Sequence, residues 1–347
     1  MADFLRNDFV HANNEHPPSR HRALRKPVFA TGPKAGMRLC AILGLAVAPA
    51  LAHASPSSAT AATAIEITDD AGNHIRLERP AQRIVSLAPH VTELLFAAGA
   101  GAQVVGVVAY SDFPPEATAL PQVGGYSKVD LEAVAALRPD LVVAWSSGNR
   151  NAHLDRLRAL GIKVFLNEPR SLDDVARSLE QFGELAGTTE VAAAAAQRFR
   201  TRHVSLAARY RERAPVSTFY QIWDRPLMTI NDEHLIADVI RLCGGRNVFG
   251  TLGTLSPTIG VEAVLAANPE AIVASGMGEA RPQWLDQWKR WPDLAANAHG
   301  NLFFIPPDIV QRHTPRILDG ASQLCEQLES VRARRAERSP AAPAPKN

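Results

Sequence analysis

The chain has 347 residues, of which 46% are hydrophobic and 21% charged, and its formal net charge is +2. This is the composition of an ordinary globular protein that is long enough to bury two hydrophobic cores. The sequence contains no basic stripe interleaved with aromatic residues, so nothing in it indicates nucleic-acid binding.

The first predicted element is a targeting segment. Residues 39–51 form an apolar run that is too short to span a bilayer and ends in a small-x-small sequence at residues 52–54. We expect a secretory signal cleaved after Ala54; a buried helix is the alternative, but the Ser/Thr/Ala-rich residues that follow carry no fold signal. Met37 directly precedes the run, and we expect it to be the true start. Cys40 lies at the front of the run, which argues against a lipoprotein site.

A first α/β lobe is predicted from alternating strand and helix patterns. Its elements are expected to be a glycine-turn hairpin at 65–77, a strand at 83–88, a helix at 93–98, a strand at 104–109, a helix and a strand within 129–145, a helix starting near Ser146 and a strand at 162–166.

One helix–strand unit occurs twice. Residues 129–145 and 259–275 share the sequence Glu-Ala-Val, a proline with an acidic residue after it, and an apolar run, with Glu132 and Glu262 in register about 130 residues apart. Each copy reads as a short helix ended by proline and followed by a buried parallel strand, which is half of a βαβ unit. Two copies at this spacing predict two Rossmann-like α/β lobes.

The lobes are expected to be joined by one long rigid α-helix. Residues 188–214 contain no glycine or proline, which predicts a helix of about 26 residues, roughly 39 Å long. A stiff connector of this kind favours little hinge opening.

A second lobe should follow the connector. Its expected elements are a strand at 217–222, a helix at 234–243, the second repeat, a strand at 302–305 and a closing helix at 314–331. Trp284, Trp288 and Trp291 lie at helical spacing and are interpreted as core residues. The predicted domain organisation is a signal or leader region at 1–54, a linker and hairpin at 55–81, an N-terminal lobe at 82–187, the connecting helix at 188–214, a C-terminal lobe at 215–335 and a disordered tail at 336–347.

The strand ends give a first indication of a binding site. Ligands of open α/β sheets bind at the carboxyl ends of the strands. Trp145 ends a predicted strand and would therefore face a crevice, which Glu132 and Glu262 would flank, one from each lobe.

The cysteines, and the absence of known catalytic motifs, further restrict the kind of protein that this sequence can encode. Cys243 and Cys325 remain after cleavage, and an even count in an exported chain favours a disulfide, with two buried thiols as the alternative. The histidines show no metal-ligand spacing, and there is no Walker loop, nucleophile elbow or dinucleotide fingerprint. We therefore expect no catalytic residue, no metal site and no resident cofactor.

Several motifs resemble a known family. The sequence Ile-Val-Ser-Leu-Ala-Pro at 84–89, Thr-Glu-Leu at 92–94 and Tyr-Ser-Asp-Phe-Pro-Pro at 110–115 are similar to those of the two-lobed periplasmic binding proteins of ABC importers. The 110–115 loop, the segment through Trp145, and residues 315–317 with 323–325 resemble the cobalamin-binding members in particular. The resemblance covers roughly residues 82–330, and its two-lobe pattern is shared with haem and siderophore binders.

The resemblance implies roles for individual residues. It implies that Glu132 and Glu262 dock on arginines of an inner-membrane permease, which works with its ATPase, and that Cys243 and Cys325 form the family disulfide. We expect a monomer that carries cobalamin or another corrinoid as its transported ligand. The expected ligand-binding residues are Tyr110, Tyr126, Trp145, Trp223, Asp308, Ile309, Val310, Gln311 and Arg312.

The chain also departs from the cobalamin-binding pattern. Tyr126 and Ser256 stand where tryptophans are expected, Trp223 is displaced by about one position, and His90 replaces a smaller polar residue. A corrin ring is a flat apolar disc edged with amides, which needs aromatic faces and a few polar anchors. The smaller aromatic wall leaves cobinamide or another corrinoid open as the ligand. His90, at a helix start facing the crevice, either approaches the cobalt or is an ordinary helix-terminal histidine with no part in binding.

The sequence therefore predicts an exported, non-catalytic, periplasmic cobalamin-binding component of an ABC importer. A haem or ferric-siderophore binder is the alternative within the class. An exported enzyme that uses the same cleft is the alternative outside it.

Overall fold

The computed structural model describes residues 64–276 and 281–338. The predicted leader, with Met37 and the cleavage site after Ala54, lies outside these residues, as do residues 339–347 of the predicted tail. Within the described ranges, no helix is both long enough and apolar enough to cross a membrane.

The strands of the described residues form two four-stranded parallel sheets and three short antiparallel ribbons. In chain order they are β1 (Ile65–Thr68), β2 (His74–Leu77), β3 (Ile84–Ser86), β4 (Val104–Val107), β5 (Gly124–Gly125), β6 (Lys128–Val129), β7 (Leu141–Trp145), β8 (Val164–Asn167), β9 (Val216–Gln221), β10 (Trp223–Asp224), β11 (Leu227–Met228), β12 (Gly245–Asn247), β13 (Ala271–Ala274) and β14 (Leu302–Phe304).

The α-helices of the same residues connect and cover these strands. They are α1 (Pro89–Ala97), α2 (Leu131–Ala136), α3 (Asn151–Ala159), α4 (Leu172–Ala186), α5 (Thr189–Tyr210), α6 (Leu235–Leu242), α7 (Val261–Ala267), α8 (Ala295–Ala298) and α9 (Ile317–Arg338).

The two parallel sheets have the same topology. The first-lobe sheet has the order β4-β3-β7-β8 and the second-lobe sheet the order β12-β9-β13-β14, so in each lobe the second strand in the chain lies at one edge and the first beside it. The predicted repeat supplies α2 and β7 in one lobe and α7 and β13 in the other, at equivalent places. The predicted fold class, two Rossmann-like α/β lobes joined by a long helix, is confirmed.

The repeated helices begin and end through local backbone chemistry. The Asp130 side chain caps α2 by accepting a hydrogen bond from the backbone N–H of Ala133 (2.9 Å). Both helices end before their prolines, at residues with positive φ: Arg138 at +46° and Asn268 at +40°. The left-handed turn, together with the conformational restriction before proline, directs each chain into its buried strand.

The helix that connects the lobes does not stand alone, because a second helix packs along it. The connecting helix α5 spans 22 residues and ends at Tyr210, so the prediction of a helix to residue 214 was too long. The preceding α4, which the sequence analysis did not predict, has a capping box of Ser171 and Asp174 and ends at Gly187 with φ +73°. The helices α4 and α5 pack along each other, and α5 also contacts α6 and α9 of the second lobe. Packing on both sides is what makes the connector stiff.

The hydrophobic core also crosses between the lobes. One continuous cluster includes Phe165 of the first sheet, Phe182 of α4, Phe199 of α5 and Tyr220 of the second sheet. Two smaller clusters cover the other faces of the two sheets. Because the largest cluster includes residues of both lobes, separating the lobes would expose apolar surface.

Three further predictions concern the second lobe. Trp288 is buried and donates a hydrogen bond from its indole N–H to Gln221 (2.7 Å), with Trp284 and Trp291 packed against the same cluster, so all three belong to the core. Cys243 and Cys325 form the predicted disulfide, with a Cα–Cα distance of 4.6 Å. The closing helix α9 continues to Arg338, so the prediction that the tail is disordered from residue 336 was wrong for its first three residues.

Candidate functional site

The crevice between the lobes lies where strands of the two sheets end. In the first lobe, three buried hydroxyl groups join the end of β3, the start of α1 and the loop after β4. The Oγ1 atom of Thr92 lies 2.8 Å from the Oγ of Ser86 and 3.0 Å from the Oγ of Ser111. This cluster fixes the backbone from which His90 and Tyr110 project.

An aromatic wall of three rings forms the first-lobe side of the crevice. The ring centroids of Tyr126 and Trp145 are 5.9 Å apart, and those of Trp145 and His90 are 5.4 Å apart in an edge-to-face arrangement. Edge-to-face and tilted contacts at this distance are favourable beyond simple burial. Burial, followed by the neighbouring Tyr110, raises the pKa of Tyr126, so its phenol is neutral at physiological pH. The three rings therefore present apolar surface at different inclinations, edged with neutral polar groups.

Asn149 holds two members of this wall in place. Its side-chain amide donates hydrogen bonds to the backbone oxygens of Tyr126 (2.7 Å) and Leu87 (3.0 Å), and its carbonyl accepts from the backbone N–H of Trp145 (2.6 Å). The Trp145 indole N–H points to the carboxylate of Glu168 (3.4 Å). Asn149 was not among the predicted site residues. The Ser-Ser-Gly-Asn sequence directly after Trp145 was the only local indication that this asparagine lies near the site.

Tyr110 stands apart from this wall in two respects. It has a positive φ of +66°, which is uncommon for a residue with a large side chain. Its side chain is 74% exposed, the largest exposure among the exposed large hydrophobic residues of the described chain. A strained and exposed aromatic residue is the type of feature that occurs at ligand sites.

The second-lobe side of the crevice is a loop after β14. Residues Pro307–Ile309 form a single 3-10 turn, and Gln311 donates a side-chain hydrogen bond to the hydroxyl of Ser275, which in turn is bonded to the phenol of Tyr220 (2.6 Å). Val310 is completely buried in the core, so its side chain has no surface with which to contact a ligand in this conformation. Asp308, Ile309 and Gln311 are partly exposed.

Arg312 connects the loop to the first lobe. Its guanidinium is 2.6 Å from the Asp112 carboxylate of the first lobe and 3.1 Å from that of Asp308 in its own loop. Burial alone would raise the pKa of Asp112, but the hydrogen bond and charge of Arg312 hold that pKa below its usual value. Asp112 lies within the predicted family motif but was not predicted to contact Arg312.

A second ion pair spans the lobes beside the first. Arg316 donates two hydrogen bonds to the carboxylate of Glu93 (2.8 and 2.7 Å), and its guanidinium lies 3.9 Å from the ring centroid of Phe113. The side chain of Glu93 is only 3% exposed. Both residues lie within the motifs that resemble the family, but neither was predicted to make this contact.

The remaining predicted residues lie on separate elements. Trp223 is on the β10–β11 ribbon, half-buried, with its indole N–H donating to the backbone oxygen of Arg225 (3.0 Å). Glu132 and Glu262 are exposed in the first turns of α2 and α7, which are equivalent helices of the two lobes. The roles of all these residues in binding or docking remain predictions.

The described side chains do not form a metal-binding site of their own. Among the described residues, no group of three or more histidine, cysteine, aspartate or glutamate side chains is arranged to hold a metal ion. His90 nevertheless lies 5.6 Å from His313 of the second lobe, ring centroid to ring centroid. Within residues 64–276 and 281–338, this imidazole contact bridges the crevice together with the ion pairs of Arg312 and Arg316.

Comparison with known proteins identifies a family match and close sequence relatives. A family model described as a periplasmic binding protein matches residues 84–309. The vitamin B12-binding protein of Vibrio cholerae is 35% identical over 251 residues, which make up 72% of this chain and 90% of that protein. The vitamin B12-binding protein of Yersinia pestis is 37% identical over 255 residues, 72% of this chain and 88% of its own length.

Solved structures show the same architecture. The crystal structure of the periplasmic vitamin B12 binding protein of Vibrio cholerae superposes with a TM-score of 0.67 at 34% identity, covering 73% of this chain and 98% of that one. A periplasmic heme-binding protein from a Roseiflexus species gives a TM-score of 0.64 at 22% identity, covering 72% and 99%. The second comparison supports the shared fold alone.

Proposed function

This chain belongs to the periplasmic binding protein family, and we propose that it captures cobalamin or a related corrinoid between its lobes and delivers it to the permease of an ABC importer. The proposed role is binding without catalysis. The observation that carries the proposal is the contact between the Tyr126–Trp145–His90 wall and the Arg312 loop, which meet through the rings of His90 and His313.

The chemistry of the crevice suits the proposed ligand. A corrin disc has two apolar faces, which stack on aromatic rings, and a rim of amides, which need hydrogen-bonding partners. Tyr126 and Trp145 supply the rings, while Asp308 and Arg312 supply an acceptor and a donor on the opposite side. Tyr110, exposed beside the wall, adds a third aromatic face. The relatives that are named for vitamin B12 binding support the same ligand class.

Arg312 also indicates how the ligand would be admitted. Its guanidinium pairs with Asp112 across the crevice, so a ligand that bonds to Arg312 competes with this carboxylate. The Asp112 side chain is 54% exposed, so its carboxylate can be solvated by water when the pair opens, whereas Arg312 is only 14% exposed and needs new partners. Hydrogen bonds to ligand amides would supply those partners.

Location and partners complete the proposal. The chain would reach the periplasm through a signal peptide cleaved after Ala54 and act there as a monomer. Glu132 and Glu262, exposed at matching places in the two lobes, would contact the permease, whose ATPase drives transport. Two carboxylates presented in this paired manner suit a partner with approximate twofold symmetry.

Calorimetric titration with cyanocobalamin, cobinamide and haemin in parallel tests the ligand. We expect saturable one-to-one binding of at least one corrinoid with a dissociation constant in the micromolar range or tighter, and none of haemin. Tighter binding of cobinamide than of cobalamin would identify the truncated corrinoid as the ligand. Saturable binding of haemin with no corrinoid binding would replace the proposal with a haem-binding role, and chemical conversion of a bound corrinoid would indicate an enzyme.

A matched pair of variants locates the ligand. Trp145→Phe removes part of the aromatic wall and should weaken corrinoid binding by about tenfold, in line with the large contributions of buried tryptophans to binding. Trp291→Phe makes the same change in the core of the second lobe and should leave the affinity unchanged. Equal effects of the two substitutions would contradict the proposed place of the site.

A further inference from the structure

Three histidines form a row across the crevice, two of them buried and His234 partly buried. His90 belongs to α1 of the first lobe, while His313 and His234 belong to the second lobe. The ring centroids are 5.6 Å apart for His90 and His313 and 5.9 Å apart for His313 and His234. His90 and His313 are 6% and 8% exposed, so both imidazoles are withdrawn from water.

Two nitrogen atoms of this row have no partner. Neither Nε2 of His90 nor Nδ1 of His313 makes a hydrogen bond, although both atoms are buried. His234 differs, because its Nδ1 accepts a hydrogen bond from the backbone N–H of Ile236 (3.1 Å) and caps α6. Buried polar atoms in proteins are nearly always paired, so an unpaired imidazole nitrogen in a binding crevice indicates a missing partner.

The two unpaired histidines are neutral in the folded protein. Burial, reinforced by the positive charge of Arg312, lowers the pKa of His90 to about 3. Burial and the neighbouring imidazoles hold the pKa of His313 well below its usual value. A neutral imidazole carries a lone pair on one nitrogen and is the commonest side-chain ligand of transition metals.

The surroundings restrict the kind of metal that such a lone pair can bind. No group of three or more metal-binding side chains occurs among residues 64–276 and 281–338, so the protein does not itself complete the coordination of a free ion. A single imidazole can complete the coordination of a metal whose other coordination positions are already occupied. A metal held in the plane of a macrocycle meets this requirement. The aromatic wall beside His90 offers the stacking surface for the same macrocycle.

We propose that Nε2 of His90 is an axial ligand to the cobalt of a bound corrinoid whose axial water is exchangeable. The inference rests on the proposed function and adds to it a selectivity for the ligand's axial group. The Nε2 lone pair forms the cobalt–nitrogen bond, the cobalt–oxygen bond breaks, and water leaves with its own electron pair. The cobalt remains Co(III), and the imidazole proton stays on Nδ1.

We assign the axial bond to His90 and not to His313 because His90 packs against the aromatic wall. It packs edge-on against Trp145, 5.4 Å away, and so belongs to the wall on which the disc would stack. His313 covers His90 from the opposite lobe and directly follows Arg312 in the chain. Access to His90 therefore requires that the ligand displace the His313 ring, which lies next to Arg312 in the same loop.

Visible absorption titrations with aquocobalamin and cyanocobalamin test the bond. Cyanide holds its axial position much more firmly than water does, so cyanocobalamin serves as the corrinoid that cannot exchange. With the unmodified protein, the bands of aquocobalamin should shift on binding while those of cyanocobalamin stay in place. Aquocobalamin should also bind at least tenfold more tightly than cyanocobalamin.

Variants of the histidine row assign the ligand. His90→Phe keeps an aromatic ring against Trp145 but has no nitrogen, so it should abolish the band shift and remove the preference, so that aquocobalamin and cyanocobalamin bind with equal affinity. His234→Asn is the matched control, because it removes an imidazole from the same row and retains a side chain that caps helices well. It should keep both the shift and the preference.

Each other outcome has a distinct meaning. If aquocobalamin and cyanocobalamin bind equally and without a band shift, the axial bond is wrong while the corrinoid-binding role stands. If neither corrinoid binds, the proposed function itself fails. If the shift survives in His90→Phe and is lost in His313→Phe, the assignment to His90 is overturned.

Discussion

The carboxylate of Glu93 in α1 and the guanidinium of Arg316 just before α9 form a two-bond ion pair that joins the two lobes away from the connecting helix. The partners lie 223 residues apart in the chain. Together with the stiff helix pair and the shared core, this pair sets the distance between the lobes.

Removing the arginine should destabilise the protein strongly. Arg316→Ala leaves the carboxylate of Glu93 buried and uncompensated, and breaking a buried pair in this way typically costs about 3–5 kcal/mol in the free energy of unfolding. The measurement is denaturant unfolding followed by circular dichroism. Arg76→Ala, which breaks an exposed pair with Glu66, is the control and should leave the midpoint unchanged. Equal midpoints for the two variants would contradict a structural role for the interlobe pair.

Loss of the disulfide should also lower stability. Cys243 and Cys325 close a loop with a sequence separation of 82 residues, and a cross-link over a loop of this size contributes roughly 4 kcal/mol in the chain-entropy account. Reduction with a phosphine should therefore lower the unfolding midpoint. A variant with both cysteines replaced by alanine should start at the lower midpoint and not respond to the reductant. Two free thiols in the mass of the unreduced exported protein would rule out the bridge in that form.

Acid should destabilise the fold before its carboxylates titrate. The pKa of His90 is about 3 and that of His234 about 4, both lowered by burial, against about 6.5 in an unfolded chain. As the pH falls below 6.5, the unfolded state takes up protons that the folded state does not, so stability that is present above pH 6.5 is lost. Each such histidine contributes a slope of about 1.4 kcal/mol per pH unit in this range.

Unfolding measured at pH 7, 6 and 5 tests this slope. Unfolded carboxylates, with pKa values near 4, stay largely charged in that interval, so histidines dominate the change. His90→Phe should reduce the slope by about 1.4 kcal/mol per pH unit. Parallel curves for the variant and the unmodified protein would mean that His90 is not held neutral.

A glycine beside the aromatic wall should control ligand affinity. A Cβ atom at Gly148 would lie 1.9 Å from the Cε3 atom of Trp145, so Gly148→Ala must displace the indole ring. We expect a loss of roughly tenfold in corrinoid affinity, because a central tryptophan usually contributes at least that much, and a change in the near-ultraviolet circular dichroism spectrum. Gly253→Ala, where a Cβ meets nothing within 4 Å, should change neither. An unchanged affinity in Gly148→Ala would remove Trp145 from the site.

Replacing the paired glutamates should stop transport without weakening ligand binding. Replacing Glu132 and Glu262 together with alanine should leave corrinoid affinity within about twofold, because both are exposed at the starts of short helices, and should stop uptake by cells or vesicles that contain the cognate importer. Glu190→Ala removes an exposed carboxylate from the first turn of α5 and should leave uptake intact. A fall in corrinoid affinity in the double variant would count against docking.

The two lobes could be predicted because the sequence patterns that define their helices and strands lie within short stretches of the chain. The repeat around Glu132 and Glu262 contains a complete helix, its proline and a buried strand within 17 residues, and a duplicated local pattern implies a duplicated unit. The rule for strand ends then located Trp145 at the crevice without any knowledge of its contacts. In contrast, α4 was not predicted, although Ser171 and Asp174 form a capping box at its start, because the longer helical pattern of α5 follows it after only two residues.

The contacts across the crevice could not be predicted because their partners are distant in sequence. Glu93 in a first helical turn is already explained by the helix dipole, and nothing local points from it to Arg316. His90, His234 and His313 have no spacing that connects them, and only the folded arrangement of two lobes brings the three rings together. A complete list of such contacts requires the relative placement of the lobes, which no local pattern encodes.

Each four-stranded sheet is built from one uninterrupted stretch of chain, since the first sheet ends at Asn167 before the second begins at Val216. A polypeptide that emerges vectorially from its amino end can therefore complete the first sheet before any strand of the second has appeared. Few pairings between distant strands have to wait for the end of synthesis, which favours rapid, stepwise folding of the two halves. The Glu93–Arg316 pair can close only late in synthesis, because its arginine follows every strand of the second sheet.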